Sequence, residues 1–244
     1  MFSFNSIDAL FSAFNNLTVL VVGDVMIDSY LWGKSTRISP EAPVPIVNVL
    51  KREKRLGGAA NVALNVQALG ARPILCSVIG DDQDGADLIR LLEEKNLSTQ
   101  GMVKSQERCT TIKHRIISGA QQLLRVDSEQ EHDLTEFENR AFLKRFSEIL
   151  PKVDVVIFED YDKGVLTSEN IPQLLKLAKE QNIPTAIDPK KKNFLSYVGS
   201  TLFKPNLKEL KEGLKVDFAD TNHEAFEKAA VELQRLLKAD NLLI

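Results

Sequence analysis

The sequence predicts an α/β fold with a mostly parallel central sheet and a small β appendage. Three features predict it: apolar runs of strand length, amphipathic helical patterns that alternate with them, and two β-rich stretches that interrupt the alternation. Strands that alternate with helices form βαβ units, in which a parallel sheet is covered on both faces. The chain has 244 residues, of which 43% are hydrophobic. A chain of this length fits one domain with an inserted sub-structure as well as it fits two domains, and we take residues 1–244 as one domain.

The first half of the chain supplies two predicted strands, each with a helix after it. Residues 17–23 (LTVLVVG) form a continuous apolar run with β-branched residues and a terminal glycine, which indicates a buried strand. Residues 59–69 carry apolar side chains at helical spacing and stop before Gly70, a typical helix end. A second buried strand is predicted over residues 73–79 and a second helix over residues 84–94.

The same alternation continues in the second half. Strands are predicted over residues 153–158, 184–187 and 200–203, and helices over residues 134–150, 168–181, 206–212 and 224–238. Thr167 is a candidate N-cap for the helix that follows it. Another apolar run begins at residues 242–244, where the sequence stops. We therefore expect the domain to be truncated at its carboxyl end.

Two segments break the alternation and predict a lid. Residues 29–50 have no helical period and contain Pro40, Pro43 and Pro45. Residues 110–126 predict two strands around a turn at Ser118-Gly119-Ala120. A small sheet that leaves the main one in this way is well placed to cover a binding site.

Composition excludes several classes of function and partner. There are 34 acidic and 31 basic residues, for a net charge of −3, and no extended basic stripe that would predict nucleic-acid binding. Cys76 and Cys109 form no metal-binding or redox spacing, and the three histidines match no metal motif. The N-terminus lacks the basic region of a signal peptide, and no apolar run is long enough to span a membrane. We expect a cytoplasmic protein without a membrane partner.

Polar residues cluster where the first predicted strand and the first long helix meet the expected crevice. Asp24 and Asp28 follow the strand directly, and carboxylates there can accept hydrogen bonds from sugar hydroxyls. Gly57 and Gly58 precede a helix, so a ligand can approach the backbone closely, and Asn61 can both donate and accept. Turn formation or capping explains the aspartates, and a simple tight turn explains the glycines, without any ligand.

Two later segments carry further candidates at the ends of predicted strands. Residues 158–164 (FEDYDKG) place three acids and Lys163 at the crevice edge, although a charged surface loop has the same composition. Asn206 and Glu209 are three apart on the first turn of a helix, where they could hold hydrated Mg²⁺ and nucleotide phosphates. A capping box uses the same two residues, and local sequence favours that explanation. The sequence contains no Walker A motif and no G-x-G-x-x-G fingerprint.

Taken together, these motifs resemble the ribokinase-like carbohydrate kinase family. The first family signature is matched by Gly57-Gly58-Ala59-Ala60-Asn61-Val62-Ala63 followed by Gly70 and Gly80. Flanking segments are similar to one branch, the kinase half of bifunctional heptose-7-phosphate kinase/adenylyltransferases. These segments are Gly23 to Asp28, Arg37 to Pro45, Asp160 to Gly164, Asp188-Pro189-Lys190 and Pro205 to Glu209.

The resemblance implies a three-layer fold with a β lid, which is often the dimer interface. It implies that ATP and Mg²⁺ are used to phosphorylate the anomeric hydroxyl of D-glycero-β-D-manno-heptose 7-phosphate, a precursor of the lipopolysaccharide core. By position, it assigns sugar contacts to Asp24, Asp28, Gly57, Gly58, Asn61 and Asp160, the 7-phosphate to Lys163, the nucleotide to Asn206, Leu207, Lys208 and Glu209, and the metal to Glu209.

One departure from the family pattern concerns catalysis. The family's catalytic aspartate lies in a Gly-Ala-Gly-Asp segment, which this sequence lacks and which we expect beyond Ile244. Phosphoryl transfer needs a group that takes the hydroxyl proton, so we expect little turnover from these 244 residues. Two alternatives remain open: a non-catalytic module that binds sugar phosphate and dimerises, and a kinase for another sugar. A nicotinamide-dependent oxidoreductase is disfavoured because the glycine fingerprint is missing.

Overall fold

The computed structural model describes residues 6–244 of the chain, so the first five residues, which belong to the N-terminal segment considered above, lie outside it. The described residues contain eleven strands: β1 (Thr18–Gly23), β2 (Val25–Ile38), β3 (Pro45–Gly58), β4 (Arg72–Gly80), β5 (Met102–Ser105), β6 (Ile112–Ser118), β7 (Gln121–Ser128), β8 (Val155–Glu159), β9 (Thr185–Asp188), β10 (Leu202–Phe203) and β11 (Asn241–Leu242). The seven helices are α1 (Ile7–Phe14), α2 (Ala59–Ala68), α3 (Gln83–Glu94), α4 (Glu136–Ile149), α5 (Ile171–Glu180), α6 (Leu207–Leu214) and α7 (His223–Leu237).

Seven of these strands form the central sheet, in the order β11-β10-β9-β8-β1-β4-β5. Every pairing in it is parallel. In the centre, β1 pairs with β4 on one side and β8 on the other, and its continuous apolar run is almost wholly buried. The predicted α/β class with a mostly parallel sheet is therefore confirmed.

Helices cover the sheet on both faces and form two cores. On one face, α2 and α3 pack on β1 and β4 through small and aliphatic residues such as Ala60, Ala63 and Leu88. On the other face, α4 to α7 bury larger side chains, among them Phe142 and Phe146 of α4. No helix among residues 6–244 is long and apolar enough to cross a membrane.

The lid is a separate four-stranded sheet in the order β3-β2-β6-β7. Its first two strands, β2 and β3, have 14 residues each and together extend beyond both ends of the predicted segment 29–50, because pairing begins at Val25 opposite Gly58, directly after β1. The second hairpin is as predicted: β6 and β7 flank a turn in which Gly119 has φ 61°. The lid strands therefore begin at the same edge of the central sheet at which the polar candidate residues were predicted.

Some local predictions were incomplete. The sequence analysis did not predict α1 or the short edge strand β5. Thr167 is not the N-cap of α5, which begins four residues later, at Ile171. Instead, the Thr167 N–H donates to Asn170 Oδ1 at 2.9 Å and the Asn170 N–H donates to Thr167 Oγ1 at 3.1 Å. This reciprocal pair closes a buried turn in the place of the predicted first helical turn.

Candidate functional site

The candidate site lies where the lid meets the carboxyl ends of β1 and β8. A cavity of about 360 Å³ opens there, a volume in the range of small-ligand sites. Five of the seven residues predicted to contact the sugar or its phosphate line it: Asp28, Gly57, Gly58, Asn61 and Lys163. The other lining residues are Met26, Lys113, Arg115, Arg125 and Tyr161. The cavity occupies the place in an open parallel sheet where ligands bind.

The paired glycines lie where β3 passes into α2. Gly58 has φ 56°, and a Cβ there would lie 2.4 Å from the backbone carbonyl of Asp24. A Cβ on Gly57 would lie 2.7 Å from Asp28 Oδ2. Gly58 therefore excludes a side chain, whereas a side chain at Gly57 would have to displace those of Asp28 and Met26, and the two glycines leave the backbone open toward the cavity. Asn61, the third residue of α2, is exposed and completes this wall.

Asp24 reaches the same edge but lies behind the cavity wall. Its buried carboxylate accepts backbone N–H groups of Tyr161 at 2.9 Å, Lys163 at 3.1 Å and Val165 at 3.1 Å. Burial, together with the nearby Asp160, raises the pKa of Asp24 to about 6 despite these hydrogen bonds. Its carbonyl also accepts the Ala59 N–H at 2.9 Å. Asp24 thus ties the loop after β8 to the start of α2, and its contact with a sugar stays a prediction.

Asp160 is also buried beneath the site. Its Oδ2 accepts the Tyr197 hydroxyl at 2.8 Å and the Asn193 amide at 3.2 Å, while Oδ1 accepts the Asp162 N–H at 2.9 Å. Since both oxygens are engaged, Asp160 holds the loop after β8 in this structure. The structure therefore brings Asp24 and Asp160 together at one edge, but only the other five candidates line the cavity.

Three cations that the sequence analysis missed come from the lid. Lys113 and Arg115 lie on β6, and Arg125 lies on β7 directly opposite Arg115. Arg115 forms an ion pair with Asp28 and stacks over the Tyr30 ring at 5.4 Å. The signal available in the sequence is the alternation of Lys113 and Arg115 along a predicted strand, which places both on one face. With Lys163, these residues give the cavity four cationic side chains.

The predicted nucleotide segment forms the start of α6. The Asn206 side chain accepts the Glu209 N–H, and Glu209 accepts the Asn206 N–H, each at 2.9 Å, so the capping box is confirmed. The other Glu209 oxygen accepts Lys190 Nζ at 2.7 Å. Leu207 packs against the core, while Lys208 is exposed and lies 3.8 Å from Glu212. A role for these residues in nucleotide or metal binding stays a prediction.

A second group of carboxylates lies between the cavity and this segment. Glu159 ends β8, beside Gly23 on one neighbouring strand and Asp188 on the other. It is only 6% exposed, and its carboxylate makes no hydrogen bond within residues 6–244. Burial and the charge of Asp188 raise the pKa of Glu159 to about 7, although Lys204 and Lys190 lower it.

A Mg²⁺ ion at this edge would have to be held mainly through water. Within the described part of the chain, no group of three or more His, Cys, Asp or Glu side chains is arranged to hold a metal directly. Mg²⁺ keeps several of its waters and commonly uses one or two carboxylates together with substrate phosphates. Both Glu209 oxygens are engaged, one by the Asn206 N–H and one by Lys190, and Asp188 lies 3.2 Å from Lys204, so metal binding by Glu209 stays a prediction.

Comparisons with known proteins agree with this architecture. The model of the pfkB family of carbohydrate kinases matches residues 16–244. The chain is 39% identical over 238 residues to the bifunctional protein HldE of Citrifermentans bemidjiense, covering 98% of this chain and 48% of that protein. It is 44% identical over 196 residues to the bifunctional protein HldE of Helicobacter pylori strain P12, covering 80% of this chain and 42% of that protein. The chain thus spans about half the length of the curated relatives that it matches.

Solved structures show the same fold at lower identity. The tetrameric inhibited form of phosphofructokinase-2 from Escherichia coli aligns with a TM-score of 0.68 at 20% identity, covering 91% of this chain and 70% of that one. The complex of the same enzyme with fructose-6-phosphate aligns with a TM-score of 0.68, covering 91% of this chain and 71% of that one. At this identity the likeness concerns the fold.

Proposed function

Because this chain belongs to the pfkB family of carbohydrate kinases, we propose that it is the sugar-kinase part of a larger protein that phosphorylates D-glycero-β-D-manno-heptose 7-phosphate. The proposed reaction transfers the γ-phosphoryl group of ATP to the anomeric hydroxyl, which gives the 1,7-bisphosphate used in lipopolysaccharide core synthesis. The relatives named HldE and the flanking motifs support this choice of substrate. A cytoplasmic location is part of the proposal.

The observation that carries the proposal is the chemistry of the cavity. Asp28 can accept hydrogen bonds from sugar hydroxyls, and Asn61 can both donate and accept them. The Gly57-Gly58 backbone, which has no side chains, allows the sugar ring to approach closely. On the lid side, the cations of the wall suit a phosphate carried by the same sugar. A cavity with a hydroxyl-binding wall and a cationic wall favours a phosphorylated sugar over a neutral one.

The donor would bind at the Asn206–Glu209 turn, on the same edge of the sheet. There ATP would supply the phosphoryl group, with Mg²⁺ neutralising charge on its phosphates. Positioning and charge neutralisation are thus proposed for residues present here, while a proton acceptor of the Gly-Ala-Gly-Asp type is absent from the sequence. We therefore expect the 244-residue chain to bind the sugar phosphate and to turn it over slowly or not at all.

The experiment that tests the proposal is calorimetric titration of the chain with heptose 7-phosphate, the unphosphorylated heptose, fructose 6-phosphate and ribose. Heptose 7-phosphate should bind at least tenfold more tightly than each of the others, a difference of about 1.4 kcal/mol. A preference for another sugar would contradict the substrate, and binding of none would contradict the site. A coupled ATP-turnover assay on the same sample separates the alternatives, because binding without turnover favours a non-catalytic binding module for these residues.

Dimerisation through the lid is proposed on a separate observation. Large apolar side chains on and beside the lid strands are exposed, among them Ile38, Leu50, Leu124 and Val126. Exposed apolar groups of this kind are typical of interfaces between protein chains. Light scattering should give the mass of a dimer for the wild-type chain, and Leu124→Glu with Val126→Glu should shift it toward the monomer.

A further inference from the structure

The cationic wall of the cavity is backed by a row of carboxylates. Asp127, Glu129 and Glu131 occupy alternate positions at the end of β7 and just after it, and we call them the acidic strap. None of the three lines the cavity. Each nevertheless contacts a cation that does, so the strap lies behind the wall rather than inside the binding space.

Glu129 is the central member of the strap. Its Oε2 lies 2.5 Å from Lys113 Nζ, and its Oε1 lies 2.8 Å from Lys163 Nζ. Lys113 belongs to the lid strand β6, whereas Lys163 belongs to the loop after β8. The Glu129 side chain is only 19% exposed, and each lysine side chain is 14% exposed. One carboxylate thus bridges two lysines that lie on different parts of the fold.

The neighbouring strap residues make comparable contacts at each side. Asp127 lies 3.0 Å from both Lys113 Nζ and Arg125 Nε. Glu131 lies 2.6 Å from Lys163 Nζ, but its side chain is 66% exposed. Burial raises the pKa of Glu129, yet the hydrogen bonds from Lys113 and Lys163 outweigh it and lower the pKa below its usual value. The Glu129 charge is therefore permanent at neutral pH.

A fixed negative charge behind a cationic wall weakens the attraction of that wall for anions. The effect is large where the charge is little exposed, because solvent screens it less. A phosphate that enters the cavity alone must overcome this repulsion, whereas a phosphate carried by a sugar also gains contacts to Asp28 and Asn61. The repulsion acts on every phosphate, so a ligand binds well only where such additional contacts offset it.

We propose that Glu129 lowers the affinity of the cavity for phosphate in general, so that free phosphate binds too weakly to occupy it and only a phosphate carried by a fitting sugar, which gains further contacts, binds well. This inference rests on the proposed function, since it takes the cavity as a sugar-phosphate site.

The test is calorimetric titration of the whole chain with inorganic phosphate at low ionic strength. Glu129→Gln removes the charge and should bind inorganic phosphate about tenfold more tightly than wild type. Glu129→Asp keeps the charge and should bind it like wild type. Glu131→Gln is the matched control, because it removes an exposed carboxylate from one lysine, and it should change the affinity less than twofold.

An affinity for inorganic phosphate that is unchanged in Glu129→Gln would overturn the proposal, as would a weaker one, which would mean that Glu129 holds the lysines in place instead. Thermal unfolding without ligand checks that each variant is folded. Should Glu129→Gln fail to fold, Asp127→Asn tests the same claim, because it removes the carboxylate shared by Lys113 and Arg125. Wild-type binding of heptose 7-phosphate is measured separately, so failure of the substrate proposal and failure of this inference give different results.

Discussion

Neutralising the buried carboxylate of Glu159 should change how the stability of the chain depends on pH. Glu159 is 6% exposed at the end of β8, and its carboxylate makes no hydrogen bond within the described residues. Burial and the Asp188 charge favour its protonated form. The folded chain therefore binds this proton more tightly than the unfolded chain does.

The magnitude follows from the pKa of Glu159 in the two states. Folding raises it from the ordinary value of 4.5 to about 7, and each pH unit between them corresponds to about 1.4 kcal/mol, for a total of about 3 kcal/mol. Because the folded pKa is the higher one, this contribution to stability is complete below about pH 4.5 and is lost as the pH rises through about 7. Glu159→Gln stays neutral, so its stability relative to wild type should rise over that range.

The assay is urea unfolding of wild type and Glu159→Gln at pH 5 and pH 8. Any packing or hydrogen-bonding cost of the glutamine is the same at both pH values and cancels in the comparison. We expect the variant to gain about 2–3 kcal/mol relative to wild type between the two. Glu227→Gln, at an exposed position of α7, controls for the change in net charge. An equal difference between variant and wild type at both pH values would refute the reasoning.

Three further substitutions test the site. Gly58→Ala should lower the free energy of unfolding by about 2 kcal/mol or more in urea titrations, because its Cβ would meet a backbone carbonyl at 2.4 Å. Gly119→Ala is the control, because Gly119 has φ +61° but no atom lies within 4 Å of its Cβ position, and this variant should lose less stability. Equal losses in the two variants would contradict the argument. Tyr197→Phe removes a buried hydrogen bond to Asp160 and should cost about 1–3 kcal/mol in the same titrations, so a cost near zero would show that the bond is dispensable. Arg115→Met should weaken binding of heptose 7-phosphate about tenfold or more in calorimetry and leave unphosphorylated heptose little changed, and an equal loss for both sugars would argue against a phosphate contact.

Much of the candidate site could be located from local sequence. The positions of the glycine pair before α2 and of the aspartates after β1 could be predicted from the residues beside them. A strand end and a helix start are both local signals in the sequence. The capping box at α6 was likewise open to inference, since both partners lie within one turn. Position along a predicted strand was enough to place these groups at one edge of the sheet.

The lid cations were harder to find for a physical reason. Lys113 and Arg125 look like ordinary solvent-exposed residues of a hairpin, and they become part of a site only when the hairpin pairs with β2 beside Asp28. The burial of the Asp24 and Asp160 carboxylates could not be predicted from the sequence either. A carboxylate after a strand can face a ligand or its own loop, and the choice depends on distant partners such as Tyr197.

The amino-acid sequence alone determined the α/β class, the parallel sheet and the approximate position of the lid, because hydrophobic periodicity and glycine placement act over a few residues. It also determined the family, through a run of motifs at fixed spacing. Tertiary structure decided which side chains face the cavity and which lie behind it, and it brought Glu129, which follows β7, together with one lysine from β6 and one from the loop after β8. These contacts join residues up to 34 positions apart, and their charges and burial exist only once the sheets have packed.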